Sequence, residues 1–121
     1  MTDVKLSYCK VKPGKAEELR SWYRELEQRS KEVEKSLRHE EMFTETAFIQ
    51  KRGEDMFLFV YMESEDINKA EKAGDEEKFD IDEEHHDVLD NCLEGNWSTL
   101  ETIGHLTNPK RWEASLLLQK A

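Results

Sequence analysis

Two cysteines, two prolines and five glycines are all that the 121 residues contain. Cys9 and Cys92 lie far apart with no Cys-x-x-Cys pair, which argues against a disulfide scaffold or a zinc knuckle and for reduced, buried thiols. No segment approaches the roughly 20 apolar residues that a membrane-spanning helix needs, and Met1-Thr2-Asp3-Val4-Lys5 holds no apolar leader. The expectation is a cytoplasmic protein without a membrane partner. Positive charge is short as well: the formal net charge is -10 and the pI about 4.9. Phosphate backbones are bound by clustered Lys and Arg, so nucleic acid is not an expected partner. Asn96-Trp97-Ser98 matches a glycosylation sequon, but with no secretory signal it reads as chance. No catalytic signature is present, and the sequence leaves open whether the protein is an enzyme.

What the chain does have is a run apolar on both sides. Hydrophobic residues are 36% and charged residues 38%, so the apolar groups must be concentrated on a few faces. Residues 56–62 read Met-Phe-Leu-Phe-Val-Tyr-Met. In a strand, Met56, Leu58, Val60 and Met62 need one cover while Phe57, Phe59 and Tyr61 need another. One layer of helices supplies only the first. The second face calls for a partner, and two sheets packed face to face in a symmetric homodimer would provide it.

The rare prolines and glycines punctuate the rest. Residues 4–11 alternate Val4, Leu6 and Tyr8 with Lys5, Ser7 and Cys9, then stop at Pro13-Gly14, which predicts a strand and a turn. From Lys15 the period becomes helical, with Leu19, Trp22, Tyr23, Leu26, Val33 and Leu37 on one face of a long helix ending near His39. Residues 42–50 and 56–62 form a hairpin across Lys51-Arg52-Gly53-Glu54-Asp55. A short helix runs from Ser64-Glu65-Asp66 to Gly74, and a second from Asp80 to Gly95 with Ile81, His85, Val88, Leu89 and Cys92 in its stripe. Residues 99–106 read as the last strand. The length fits one domain, residues 1–107. Residues 108–121, with Pro109, Trp112 and Leu116-Leu117-Leu118, are expected to be a tail packing on the domain or on the partner subunit.

This order predicts an α+β fold, the ferredoxin-like β-α-β-β-α-β arrangement with an antiparallel sheet. Over residues 4–107 the chain resembles the dimeric α+β barrel superfamily. The markers are Tyr8-Cys9-Lys10-Val11-Lys12-Pro13-Gly14-Lys15 before the long helix and Ile81-Asp82-Glu83-Glu84-His85-His86 in the second. Members of that superfamily include antibiotic-biosynthesis-type monooxygenases, muconolactone isomerases, haem-degrading enzymes, sugar mutarotases and small proteins without known activity. The chain looks most like the last group. The resemblance identifies fold and not chemistry. Sugar mutarotases of this fold use a histidine soon after the first strand, and here none precedes His39. Asn91, Trp97 and His85 match the residue types of the haem degraders but not their order or spacing.

Among residues that carry chemistry, His85 and His86 are the candidate catalytic pair, suited to accept a proton near neutral pH. The competing reading puts His85 in the core and His86 on a solvated face. Asp82 and Asp90 stand four residues either side of His86, so a metal site on this helix face is a further alternative, although no metal or other cofactor is expected. Tyr8, Trp22, Tyr61 and His105 are the candidate ligand-binding residues of a pocket between helices and sheet, with Tyr23 beside them; rings at helical spacing are otherwise core. Cys9 would need a histidine brought near by the fold to be a nucleophile, and an inert buried thiol is the competing reading. The expected function is small-molecule binding between sheet and helices by a homodimer. Cofactor-independent oxygenation or isomerisation, as the resemblance implies, and a purely structural dimer are the alternatives.

Overall fold

A computed structural model describes residues 2–108. The predicted tail features Pro109, Trp112 and Leu116 to Leu118 lie outside the described residues. Strand β1 (Asp3–Lys10) leads through the Pro13-Gly14 turn into helices α1 (Ala16–Gln28) and α2 (Ser30–Glu40). The hairpin β2 (Met42–Arg52) and β3 (Asp55–Ser64) follows, then α3 (Ile67–Asp75), α4 (Asp80–Cys92) and β4 (Ser98–Thr99). The sheet has the order β2-β3-β1-β4 with every neighbouring pair antiparallel. The chain thus has the expected ferredoxin-like α+β fold.

Two boundaries differ from expectation. The long helix is two helices that meet at Arg29, whose backbone leaves the helical region at φ -97 and ψ 43. The Arg29 guanidinium holds the break by binding Glu25 of α1 at 2.9 Å, Glu32 of α2 at 2.8 Å and Glu84 of α4 at 2.6 Å. The last strand, expected over 99–106, is paired only at Ser98 and Thr99. Cross-strand packing is what holds an edge strand, and beyond Thr99 the large apolar side chains Ile103 and Leu106 lie open, at 92% and 98% exposed.

Register decides which sheet face the helices cover. Cys9 and Val11 of the β1 side pack with Leu58 and Val60 of β3, and Leu19, Cys92 and Leu93 close over them as the main core. Alternation then puts Val4, Leu6 and Tyr8 with Phe57, Phe59 and Tyr61 on the opposite face. There Tyr8 stacks on Phe59 at 5.2 Å, and the Arg52 guanidinium lies over Phe57 at 5.2 Å and Phe59 at 5.5 Å. No described element covers this face, and Phe48 on it is 55% exposed.

The link from α2 to β2 is a single residue. Glu41 makes the turn in the left-handed region at φ 58, an arrangement that normally favours glycine. Ser64 at the end of β3 donates its hydroxyl to the Glu41 carbonyl at 2.9 Å and fixes the turn against the sheet.

Candidate functional site

Between the helices and the covered face of the sheet lies a cavity of about 410 Å³. Helical periodicity supplies most of its wall, because residues three and four apart share a face. From α2 come Val33, Ser36, Leu37 and Glu40, and from α4 come Asp82, His85, His86 and Leu89. The sheet adds Met42 and Glu45 from β2 and Val60 and Met62 from β3. The result is an apolar enclosure with a few convergent acids and imidazoles, the usual composition of a small-molecule site.

His85 is held from behind. Trp22 on α1 donates its indole N–H to His85 Nδ1 at 2.8 Å. Nδ1 is therefore the unprotonated nitrogen, Nε2 carries the hydrogen, and Nε2 has no hydrogen-bond partner among the described residues. Burial lowers the His85 pKa to about 4, helped by the charge of His86 and opposed by that of Asp82. At neutral pH His85 is thus a neutral donor on the cavity wall. His86 lines the same cavity and pairs with Glu77 at 3.6 Å.

Glu40 is the opposite case. Burial, then the charge of Glu45 and that of Asp82, raise its carboxyl to about 7, against hydrogen bonding from Ser36 and the charge of His86. Ser36 lies 3.1 Å from Glu40 Oε1 and in short contact with Asp82 Oδ1. Asp82 Oδ2 accepts the Phe79 N–H at 3.0 Å, which caps the first turn of α4. Glu45 is also raised by the protein around it, although its side chain reaches solvent.

The structure brings His85, His86 and Trp22 together and separates the remaining candidates from them. Tyr8 and Tyr61 lie on the uncovered sheet face, where Tyr61 donates to Glu63 at 3.3 Å, and do not border the cavity. The reason is parity: Ser7 and Cys9, not Tyr8, are the inward residues of β1. His105 is exposed and meets Thr2 Oγ1 at 3.0 Å, away from the cavity. Among the described residues no three metal-ligating side chains converge. Asp82 is spent on Ser36 and the helix cap, which disassembles the Asp82, His86 and Asp90 alternative. Cys9 is fully buried, its thiol turned to the Lys10 carbonyl at 3.7 Å. Glu40, Glu45 and Ser36 were not legible as site residues. The signal available was the spacing of Ser36 and Glu40 on the same stripe as Val33 and Leu37.

The family model described as "Family of unknown function (DUF6176)" matches residues 2–111. The chain belongs to this family. No curated protein matches this chain. Its solved neighbours share the fold at low identity. A conserved protein from Methanosarcina mazei Go1 is 17% identical with TM-score 0.55, covering 83% of this chain and 89% of that one. A protein provisionally described as an antibiotic biosynthesis monooxygenase from Bacteriodes thetaiotaomicron is 14% identical with TM-score 0.58, covering 88% and 92%. The cofactor-independent oxygenase SnoaB from Streptomyces nogalater is 10% identical with TM-score 0.54, covering 88% and 98%. These neighbours share the fold of this chain and carry no assignment of activity to it.

Proposed function

We propose that this protein is a cytoplasmic homodimer that binds a small, largely apolar, carbonyl-bearing molecule in the cavity between sheet and helices. The observation that carries the reading is the cavity itself: apolar walls of adequate size, a neutral His85 whose Nε2–H has no hydrogen-bond partner among the described residues, and Glu40 poised close to neutrality. A neutral imidazole N–H suits a carbonyl oxygen, and a carboxyl near pH 7 suits a proton beside it. The same pairing supports a second reading, cofactor-independent isomerisation or oxygenation that starts by proton removal. The dimer is supported by the uncovered aromatic face of Tyr8, Phe57, Phe59 and Tyr61. A thermal-shift screen against aromatic and alicyclic ketones tests the binding, because a ligand of the folded state raises the melting temperature. The expected hit loses its shift in Leu89→Trp, which fills the cavity. A hit unaffected by Leu89→Trp, or no hit at all from the unaltered chain, counts against the cavity as the site.

A further inference from the structure

The oxygen atoms of Glu40, Ser36 and Asp82 pose a counting problem. Ser36 Oγ lies 3.1 Å from Glu40 Oε1 and closer still to Asp82 Oδ1. A hydroxyl has one hydrogen to donate. Two hydrogen bonds along this line therefore need two protons, and with both carboxyls ionised one contact would set lone pair against lone pair. Ser36 and Asp82 are each only 8% exposed, so water gives little relief. Asp82 Oδ2 is already taken by the Phe79 N–H, while Glu40 Oε2 receives no hydrogen bond from any described residue. The charges of Glu45 and Asp82 favour keeping the second proton, against that of His86. Glu45 faces Glu40 from β2, Asp82 and His86 from α4, and Glu71 and Asp75 of α3 and Lys5 of β1 complete the polar wall, with Lys5 bound to Glu71.

We propose that Glu40, Ser36 and Asp82, which all border the cavity, form a relay that shares one extra proton along a hydrogen-bonded line, with Glu40 as the end that meets a ligand. In one form the Glu40 O–H donates to Ser36 Oγ, and the Ser36 O–H donates to Asp82 Oδ1. In the other, each proton has moved one step: Asp82 O–H donates to Ser36 Oγ, and Ser36 O–H donates to Glu40 Oε1. Every O–H bond broken is matched by one formed, and no co-reactant is needed. The second form leaves Glu40 ionised without releasing a proton to solvent. Glu40 then accepts the proton next to a ligand carbonyl, the bonding electron pair stays with the ligand as an enolate, and His85 Nε2–H holds the enolate oxygen. That use rests on the ligand binding proposed above, whereas the relay itself does not. Ser36 and Asp82 act through Glu40 and are positioning residues. The elevation of Glu40 to about 7 agrees with a retained proton.

Carboxyl carbon NMR of the full chain, titrated without ligand, tests the relay. The Glu40 carboxyl carbon is expected to titrate with a midpoint of about 7. Ser36→Ala removes the acceptor of the Glu40 O–H, so the Glu40 midpoint should fall; a Ser36 that only donates to ionised Glu40 would make it rise on removal. A Glu40 midpoint that rises or stays in place in Ser36→Ala overturns the proposal. If Ser36→Ala does not fold, the unaltered chain decides by proton NMR: a low-field Ser36 hydroxyl proton that is lost as Glu40 ionises is expected, and its absence below the Glu40 midpoint overturns the proposal. A failed ligand screen leaves this titration unchanged, so the two readings fail independently.

Discussion

The indole N–H of Trp22 donates to His85 Nδ1 across 2.8 Å, and this contact joins α1 to α4 behind the cavity wall. Through it a residue outside the cavity lining decides which nitrogen of the cavity-lining His85 carries the hydrogen. Nitrogen-detected NMR is expected to find His85 as the Nε2–H tautomer throughout the neutral range. Trp22→Phe removes the donor and should give a mixture of tautomers, with a stability loss of about 1 kcal/mol from the hydrogen bond and somewhat more from the smaller ring.

His85 and Glu40 pull stability in opposite directions with pH. The His85 pKa falls from 6.5 in the unfolded chain to about 4, so the unfolded state binds more protons between those values and stability rises with pH there. Its full contribution is on the order of 3 kcal/mol. The Glu40 pKa rises from 4.5 to about 7, so the folded state binds more protons and stability falls as pH increases through that window. Urea unfolding should therefore show a shallow dependence where the windows overlap. Glu40→Gln should unmask stability that climbs with pH, and His85→Gln stability that declines. Unchanged slopes in both variants would refute the opposed pair.

Gly74 in α3 offers a lever on Glu40. A Cβ placed there would lie 3.5 Å from the Glu40 carboxyl carbon, an ordinary contact. Gly74→Ala should raise stability by about 0.5–1 kcal/mol through helix propensity. The added methyl also takes water from the carboxyl, so the Glu40 midpoint should move upward in the same NMR titration.

The uncovered sheet face predicts self-association. Light scattering at micromolar concentration should return twice 14.3 kDa. Phe59→Lys, at the ring stacked on Tyr8, should give monomers or insoluble protein. A stable mass of 14.3 kDa for the unaltered chain would remove the homodimer and leave the aromatic face to be explained another way.

Both thiols should be silent in the folded protein. Cys9 and Cys92 are fully buried, and burial together with the hydrogen bond to Glu18 pushes the Cys92 thiol up to about 12. Alkylating reagents at neutral pH are expected to label neither residue until denaturant is added.

Element order was legible because the period of the apolar pattern changes cleanly at Lys15, Met42 and Asp80. Sheet parity was not. A strand such as β3, apolar on both faces, carries no mark of which side the helices cover, and one step of register exchanges the two sides. Tyr8 and Tyr61 were for that reason assigned to the wrong layer. His85 was visible as a histidine on an otherwise apolar stripe. Glu40 was hidden because it lies within the charged run Arg38-His39-Glu40-Glu41, where sequence alone gives no reason to single out one acid. The break at Arg29 was equally hidden, since the guanidinium contact with Glu84 spans distant parts of the chain.

The one-residue turn at Glu41 makes this junction a length gauge. Glu40 belongs to the last turn of α2 and Met42 to the first pair of β2, opposite Ser64. One inserted residue would rotate Glu40 by about 100° around the helix axis, or else slip Met42 to the far side of the sheet. A deletion would do the same in the opposite sense. Relatives that keep an acid at this position are thus constrained in spacing as well as in residue type. Their insertions and deletions should accumulate at the Gly53-Glu54 hairpin tip or between α3 and α4, where no cavity residue depends on the count.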